Sequence, residues 1–492
     1  MFRVKKLDLE TGEIPVIVLN KRDCLQLNMN MGDRALVRWN GKEIIAIIDV
    51  AEKLVGPGEV GVSVEIWKGN SLPEFVDILP VEKPTSVFFI RKRLHGTPLK
   101  PDEIREIIKD LMENRLSRVE ASFFVASAYV QRLSFEEEEA LTRAIIEAGE
   151  VLEWERHPVL DKHSIGGVPG NRVTPILVPI IAAAGYCIPK TSSKAITSPA
   201  GTADVVELLA DVALSAGEVK RIVEKTNGVM AWGGTLNLAP ADDLLLKLRY
   251  PLRLDPISFL LASIMAKKSA VGAEKVLIDI PTGAKVKTFE DARELAERFK
   301  SLGKKLGIEV RAVVTDGSQP IGRGVGPALE ARDVLRVLIG EGPADLREKA
   351  LMLSGMLLEM AGEKNGYEKA KKILGSGEAY EKFREIIREQ RGNPDVKPED
   401  IQLCEQRAEI KAPRKMRVIY DCEVIAKACR IAGNPSVKGA GMYLHYPSEA
   451  VVEKGETVVT VFAPDEYRLQ QVMKYLEAHP PFLSRKIVIE VL

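Results

Sequence analysis

Three stretches of the 492-residue chain combine charge, hydroxyls and glycine in patterns suited to an anion. The first is Asp161-Lys162-His163-Ser164-Ile165-Gly166-Gly167-Val168-Pro169-Gly170-Asn171-Arg172. Its glycines let backbone N–H groups approach a ligand closely, while Lys162 supplies charge and Ser164 a hydroxyl donor. The apolar run PILVPIIAAAG predicts a helix behind them, whose N-terminal end adds partial positive charge. A tight turn between strand and helix is the competing reading. No GxxxxGK[ST] spacing is present, so this is not the phosphate loop of a nucleoside triphosphatase.

The second stretch, Thr191-Ser192-Ser193-Lys194-Ala195-Ile196-Thr197-Ser198-Pro199-Ala200-Gly201-Thr202-Ala203-Asp204, crowds hydroxyls and small residues before ADVVELLADV. Val205, Leu208, Leu209 and Val212 predict the buried stripe of a helix there, with Ser198 or Thr202 as a structural N-cap alternative. Two such loops, about thirty residues apart, can grip one phosphate from two sides. The third stretch is RYPLRLDPISFLLASIMAKK. Asp255 before Pro256 suits a helix cap, and Ser263 and Lys267 share a helical face at i, i+4. Lys267 either snorkels from a core edge or meets a ligand.

The elements that must position these residues predict a multidomain α/β chain. Residues 1–84 carry short alternating runs (MFRVKKLDLE, IPVIVL, RALVRW, EIIAIIDV), which predict a small β-rich, barrel-like domain. From 86 to 155 the period becomes helical: Ile104, Ile107, Ile108, Leu111 and Met112 form one stripe, with Pro101 at the first helical position. The segment at about 243–268 is expected to rejoin that helical subdomain. Residues 158–405 alternate helices with strands such as KVLIDI and EVRAVVT, predicting a central α/β domain with a mixed sheet. Residues 412–492 predict a small α+β C-terminal domain, with strands in KMRVIYD, GETVVTVFA and RKIVIEVL around the helix PDEYRLQQVMKYLEAH.

DKHSIGG, SSKAITSPAGTADVVE, GGTLNLAPADDLLLKLR, LDPISFLLASIMAKK and TDGSQPIGRGVGPALEARDVL occur in the order found in the thymidine/pyrimidine nucleoside phosphorylase superfamily, which the chain resembles over roughly residues 86–490. The extra N-terminal 84 residues resemble the additional domain of the superfamily's archaeal AMP phosphorylase branch. The resemblance implies that Lys162 and Ser164, with Thr202, hold inorganic phosphate. It implies nucleotide contacts from Gly167, Ser193, Lys194, Ala195, Ile196, Thr197, Ser198, Thr202, Ser263 and Lys287, and a proton donor at Asp255. His163, Arg249 and Lys267 are further candidates beside sugar or base. Two departures stand out. Lys194 occupies a position where arginine is usual, keeping the charge without the planar fork. Pro281-Thr282-Gly283-Ala284-Lys285-Val286-Lys287 replaces a KxGSGAFM-like loop.

The implied reaction is phosphorolysis of AMP, with CMP and UMP as further substrates, to free base and ribose 1,5-bisphosphate. Phosphate is a co-substrate, no cofactor or metal is required, and a homo-oligomer built on a dimeric unit, or a larger assembly, is expected. The alternatives are a pyrimidine nucleoside phosphorylase, a Mg²⁺-dependent phosphoribosyltransferase, and a non-catalytic nucleotide-binding assembly protein. Seventy basic residues balance seventy acidic ones, so neither nucleic acid nor an anionic membrane is an expected partner. Five scattered cysteines without a CxxC pair, and no apolar leader, predict a reducing cytoplasmic setting.

Asp255 carries the sharpest choice between a cap and an acid. Asparagine caps as well as aspartate but cannot donate a proton as an acid does. Asp255→Asn should cut turnover roughly 10²–10⁴-fold with little change in melting temperature. Near-normal turnover in that variant would assign Asp255 to the cap alone.

Overall fold

The computed structural model describes every residue except 13, 196–197, 250, 252–255 and 483–492. The proton-donor candidate Asp255, the loop residues Ile196 and Thr197, and the expected strand RKIVIEVL therefore lie outside the described residues. The chain divides into two units, Met1–Ala148 with Ala239–Ser263, and Gly149–Leu238 with Ile264–Leu492.

In the first unit six strands close into a barrel: β1 (Phe2–Lys6), β2 (Val16–Asn20), β3 (Arg34–Trp39), β4 (Lys42–Ala51), β5 (Glu59–Val62) and β6 (Phe75–Pro80), in the order β1-β5-β2-β4-β3-β6. Pairs β1–β5 and β2–β4 are parallel, the others antiparallel. Ile17, Leu19, Val37, Ile48, Val60, Val62 and Ile78 point inward and leave the small barrel filled with side chains. Short helices α1 (Lys21–Leu27) and α2 (Val64–Trp67) interrupt the strands.

The helical part of this unit contains α3 (Ser86–Leu94), α4 (Pro101–Met112), α5 (Arg118–Val130), α6 (Phe135–Glu147) and, after the chain returns, α10 (Pro240–Arg249). Helix α4 opens on Pro101 and buries Ile104, Ile107, Ile108 and Leu111. Ser117 and Ser134 each accept a bond from the third residue of the helix they precede, so the chain itself marks where α5 and α6 start. Arg93 and Glu137, both buried, pair within the bundle.

The second unit is built on parallel strands. β7 (Leu160–Ser164), β10 (Lys275–Thr282) and β11 (Glu309–Asp316) form one sheet in the order β11-β10-β7, and β8 (Ile188–Ser192) pairs with β9 (Gly228–Trp232). A parallel bridge between Val159 and Cys187 joins the two sets. The expected mixed sheet is thus corrected to a parallel one. Each crossover contains a helix: α7 (Thr174–Ala183), then α8 (Thr202–Val206) with α9 (Ala216–Thr226), and finally α12 (Phe289–Leu306). A helical crossover returns the chain to the same sheet edge, which makes successive strands parallel. The long helix α11 (Ile257–Ala270) feeds β10, and α13 (Pro327–Leu338), α14 (Ala344–Met360), α15 (Gly366–Gly375) and α16 (Glu378–Glu389) pack around the core of α7.

Helix α8 is shorter than its apolar stripe predicts. Beyond Val206 the chain runs through turn bonds (Leu209 N–H to Val206 O at 2.8 Å), and only then is the backbone captured elsewhere: Asp211 N–H bonds Gln390 O at 2.9 Å and Val212 O accepts from Trp232 N–H at 2.7 Å. Val205, Leu209 and Val212 are buried all the same. At the C-terminal end, β12 (Gly324–Val325), β13 (Gln406–Lys411), β15 (Gly441–Leu444) and β17 (Thr457–Ala463) form an antiparallel sheet in the order β12-β15-β17-β13. A smaller pair comprises β14 (Met416–Arg417) and β16 (Val451–Val452), and helices α17 (Cys422–Ala432) and α18 (Glu466–Ala478) complete this region. The sheet therefore starts before residue 412 and takes in a strand from the GxGxG segment Gly322–Gly326. Asp333 holds that segment by accepting from the N–H groups of Arg323 and Gly324, both at 2.7 Å.

Gly170 sits at φ +71°, and a Cβ there would lie 2.2 Å from Ile321 O. Gly185 has φ +93° with open space around it. Gly170→Ala should therefore cost about 2–5 kcal/mol, combining the left-handed backbone and the overlap, against about 1–2 kcal/mol for Gly185→Ala. Thermal melts of the two variants check this, and equal losses would show that the turn yields around the added methyl.

Candidate functional site

Strand β7 ends where the parallel sheet presents its carboxyl edge, the usual place for a ligand in such sheets. Alternation along β7 puts Lys162 and Ser164 on one face and Asp161 and His163 on the other. The next turn uses Gly166 and Gly167 at φ +84° and +94°, a backbone path that side chains resist. A Cβ on Gly167 would meet Ala284 Cβ and Lys285 N at 3.1 Å, so the 283–287 loop packs directly on this turn.

Lys162 is only 2% exposed, and its Nζ has no hydrogen-bond partner among the described residues. Burial pushes its pKa down to about 8; Lys349 and Arg172 push the same way, while Asp279 and Asp161 oppose them. Asp279 stands abreast of Ser164 on β10 and is fully buried. It accepts from Ser164 Oγ at 2.9 Å and Thr315 Oγ1 at 2.6 Å, and it pairs with Lys349 Nζ at 3.2 Å. Burial would raise this carboxyl's pKa, but Lys162, Lys349 and the two hydroxyls hold it below the usual range.

Asp161 takes two buried lysines, Lys268 of α11 and Lys190 of β8, the latter at 3.2 Å. Burial and the neighbouring Lys190 depress Lys268 to about 7 against the pull of Asp161. His163 is held well below its ordinary pKa by burial and by Lys268, Lys190, Lys162 and Lys267, so its imidazole is neutral. Around β7, then, five cations (Lys162, Lys190, Lys268, Lys349, Arg172) face three carboxylates (Asp161, Asp279, Glu330). Cationic side chains crowd the strand end that carries Lys162, which suits an anion such as phosphate.

Arg172 ties the first loop to the second. Its guanidinium pairs with buried Glu330 of α13, donates to Thr202 Oγ1 at 3.1 Å and donates to Ala200 O at 3.1 Å. The second loop is then closed on itself. Asp204 Oδ2 accepts from Ala195 N–H at 2.6 Å and Gly201 N–H at 2.9 Å, and Lys438 holds the other oxygen at 3.0 Å. Ser198 donates to Ala200 O at 3.2 Å, and Ser193 is exposed, its carbonyl oxygen 2.6 Å from where a Cβ on Gly201 would lie.

Several sequence candidates are engaged elsewhere. Lys194 pairs with Glu207 at 2.6 Å and lies 4.6 Å above the Trp232 ring. Lys287 is exposed, 3.5 Å from Glu423. In the first unit, Ser263 donates to Asp242 Oδ2 at 2.6 Å, while buried Arg249 stands 3.7 Å from Asp242 and stacks over Phe259. Sequence reasoning assigned no role to Asp279, Lys349, Lys190, Lys268, Asp161 or Arg172. A lone aspartate inside the apolar strand KVLIDI was the available signal for Asp279. Lys349 had none, since it sits in an ordinary amphipathic helix.

Comparison with known proteins places this geometry in a family. Residues 88–149 match the helical bundle domain, and residues 156–380 the a/b domain, of a glycosyl transferase family. The chain is 44% identical over 498 residues to AMP phosphorylase of Methanothrix thermoacetophila, covering 100% of this chain and 97% of that protein. It is also 44% identical to AMP phosphorylase of Pyrococcus furiosus, covering 100% and 99%. The chain belongs to the AMP phosphorylase family. Likeness across the full length includes the N-terminal barrel. The fold alone is also seen in anthranilate phosphoribosyltransferase of Thermus thermophilus, at TM-score 0.53 and 22% identity, covering 62% of this chain and 99% of that one. The enzyme from Saccharomyces cerevisiae gives TM-score 0.50 at 18% identity, covering 62% and 98%. No described helix of this AMP phosphorylase family member is long and apolar enough to cross a membrane.

Arg172→Lys keeps the charge and loses the fork that reaches Glu330, Thr202 and Ala200 together. Phosphate affinity, measured by calorimetry, should fall about tenfold for each charge-assisted bond lost. Unchanged affinity would mean that Thr202 finds its place without Arg172.

Proposed function

We propose that this protein catalyses phosphorolysis of AMP, converting AMP and inorganic phosphate to adenine and ribose 1,5-bisphosphate. The observation that carries the reading is Lys162, a buried ammonium without a hydrogen-bond partner among the described residues, with Lys349 and Arg172 near it. A buried charge of that kind is costly unless a ligand completes it. Phosphate supplies the missing acceptors, and full-length likeness to AMP phosphorylases supplies the nucleotide. CMP and UMP belong to the same proposal as further substrates, as do a cytoplasmic setting and a homo-oligomeric assembly.

In this mechanism a phosphate oxygen held by Lys162 and the Thr202 loop attacks C1′ of the ribose. The C1′–N bond breaks with its electron pair going to the base, and the base takes up a proton. The positive charge around β7 holds the attacking phosphate in place while the sugar carbon becomes electron-poor. Ser164 donates its hydroxyl hydrogen bond to Asp279, so it meets phosphate by accepting from a phosphate O–H or by donating after turning away from that carboxylate. His163, being neutral, can donate one N–H and accept at the other nitrogen without adding charge. Asp255 is the proposed proton donor to the base; it lies outside the described residues, and its role rests on the sequence resemblance. Ser263, Lys287 and the 193–198 loop are proposed nucleotide contacts on the same basis.

The test is release of free base from AMP, CMP, UMP, uridine and thymidine, each with and without phosphate. Phosphate-dependent adenine release from AMP is expected. Turnover of uridine or thymidine alone would identify a nucleoside enzyme instead, and nucleotide binding without base release would identify a binding protein. Lys162→Met should lower kcat/KM by roughly 10–100-fold or more through loss of a charge-assisted phosphate contact. The same variant should melt at or above the wild-type temperature, because it removes a buried ammonium that the protein alone leaves unbonded. Full activity in a normally folded variant would remove Lys162 from the phosphate site.

A further inference from the structure

Asp279 gathers three side chains from three different elements of the second unit. Its Oδ2 receives Ser164 Oγ at 2.9 Å and Lys349 Nζ at 3.2 Å, and its Oδ1 receives Thr315 Oγ1 at 2.6 Å. Lys349 Nζ also donates to Thr315 Oγ1 at 3.2 Å, which closes the set. Asp279 and Lys349 come from β10 and α14, and Thr315 from β11, so the arrangement exists only in the folded sheet. Lys162 is attracted by Asp279 yet makes no bond to it. Two hydroxyls and a second ammonium already engage both oxygens of the carboxylate. Without them Lys162 would close onto Asp279 as a buried ion pair and leave nothing for an anion.

We propose that Asp279 and Lys349 are positioning residues for Lys162, the carboxylate holding Ser164 and the lysine's charge in place, and Lys349 keeping that carboxylate from capturing the lysine outright. This rests on the reading of Lys162 as the phosphate-binding cation. The two residues act on Lys162 with opposite signs. Asp279 stabilises its ammonium and Lys349 opposes it, as does Arg172 from the turn, while Asp161 from the neighbouring position on β7 stabilises it. His163, also on β7, is neutral and adds no charge. A lysine must be protonated to hold phosphate, so affinity falls as pH rises through the pKa of Lys162 in the free protein. Losing Asp279 lowers that pKa and moves the fall to lower pH. Losing Lys349 raises it and moves the fall to higher pH.

Calorimetric titration of the full chain with inorganic phosphate, from about pH 6 to about pH 10, separates these outcomes. Wild type, Asp279→Asn and Lys349→Gln are compared, so the ionisation of phosphate itself is common to all three. The expected result is a shift of the basic limb by about one unit, downward in Asp279→Asn and upward in Lys349→Gln. Limbs that coincide with wild type, or move together, overturn the proposal even if affinity drops, because a purely structural role weakens binding without moving the limb in opposite directions. Should Asp279→Asn fail to fold, Lys349→Gln decides alone, since loss of structure does not carry a basic limb upward. A wild-type protein that binds no phosphate at any pH would overturn the phosphate-site reading and this proposal with it. Wild-type binding with unshifted variants overturns only the proposal.

Discussion

A charged lysine inside a protein needs compensation, and much of the second unit is organised around how Lys162 receives it only in part. The ammonium is 2% exposed and is attracted by a carboxylate, Asp279, whose two oxygens are already engaged by Ser164, Thr315 and Lys349. Were Asp279 free, the pair would close and the site would be electrically finished. Were Asp279 absent, burial would drive the lysine toward its neutral form. The observed arrangement lies between these limits, with the lysine's pKa down to about 8 and its hydrogen-bonding capacity unspent.

The same logic extends to the other face of β7 and to the loops. Asp161 carries Lys190 and Lys268, which anchors β8 and α11 to the strand that bears Lys162. Arg172, neutralised by Glu330, reaches across to Ala200 and Thr202 and sets the second loop against the first. Asp204 then gathers Ala195, Gly201 and Lys438. The two loops are thereby held before any ligand arrives, which reduces the ordering that binding must impose. Loops restrained in this way can present charge to an anion without collapsing onto one another.

Parallel strands make this possible. Each of β7, β8, β9, β10 and β11 ends on the same side, and the crossover helices bring the following loops back over that edge. Residues far apart in the chain meet there: Asp161 and Lys268 are 107 positions apart, and Arg172 and Glu330 are 158 apart. The antiparallel C-terminal sheet contributes Lys438 to the second loop, so that region takes part in holding the loop as well as in its own core.

Local patterns by themselves determined the elements and the family. The alternation of residues 1–84 specified barrel strands, the stripe Ile104, Ile107, Ile108 and Leu111 specified α4, and the glycine-flanked Lys162 and Ser164 marked the anion turn. These are effects of near neighbours, with periods of two or 3.6 residues and backbone demands that particular residue types meet. What only the tertiary structure decided was which charges are spent and which remain. Lys194 and Lys162 read alike in the sequence, yet Lys194 is paired with Glu207 and stacked on Trp232 while Lys162 is left unbonded. The sheet was expected to be mixed and is parallel, because strand direction follows from where each crossover helix packs. Helix α8 stops at Val206 and gives way to turns, with the backbone at Asp211 and Val212 bonded to Gln390 and Trp232 instead of to another helical turn. Charge compensation acts through space between residues on different elements, some of them more than a hundred positions apart. No pattern of neighbours encodes it, and it is settled only when the sheet brings Asp161, Asp279 and Glu330 to their cations.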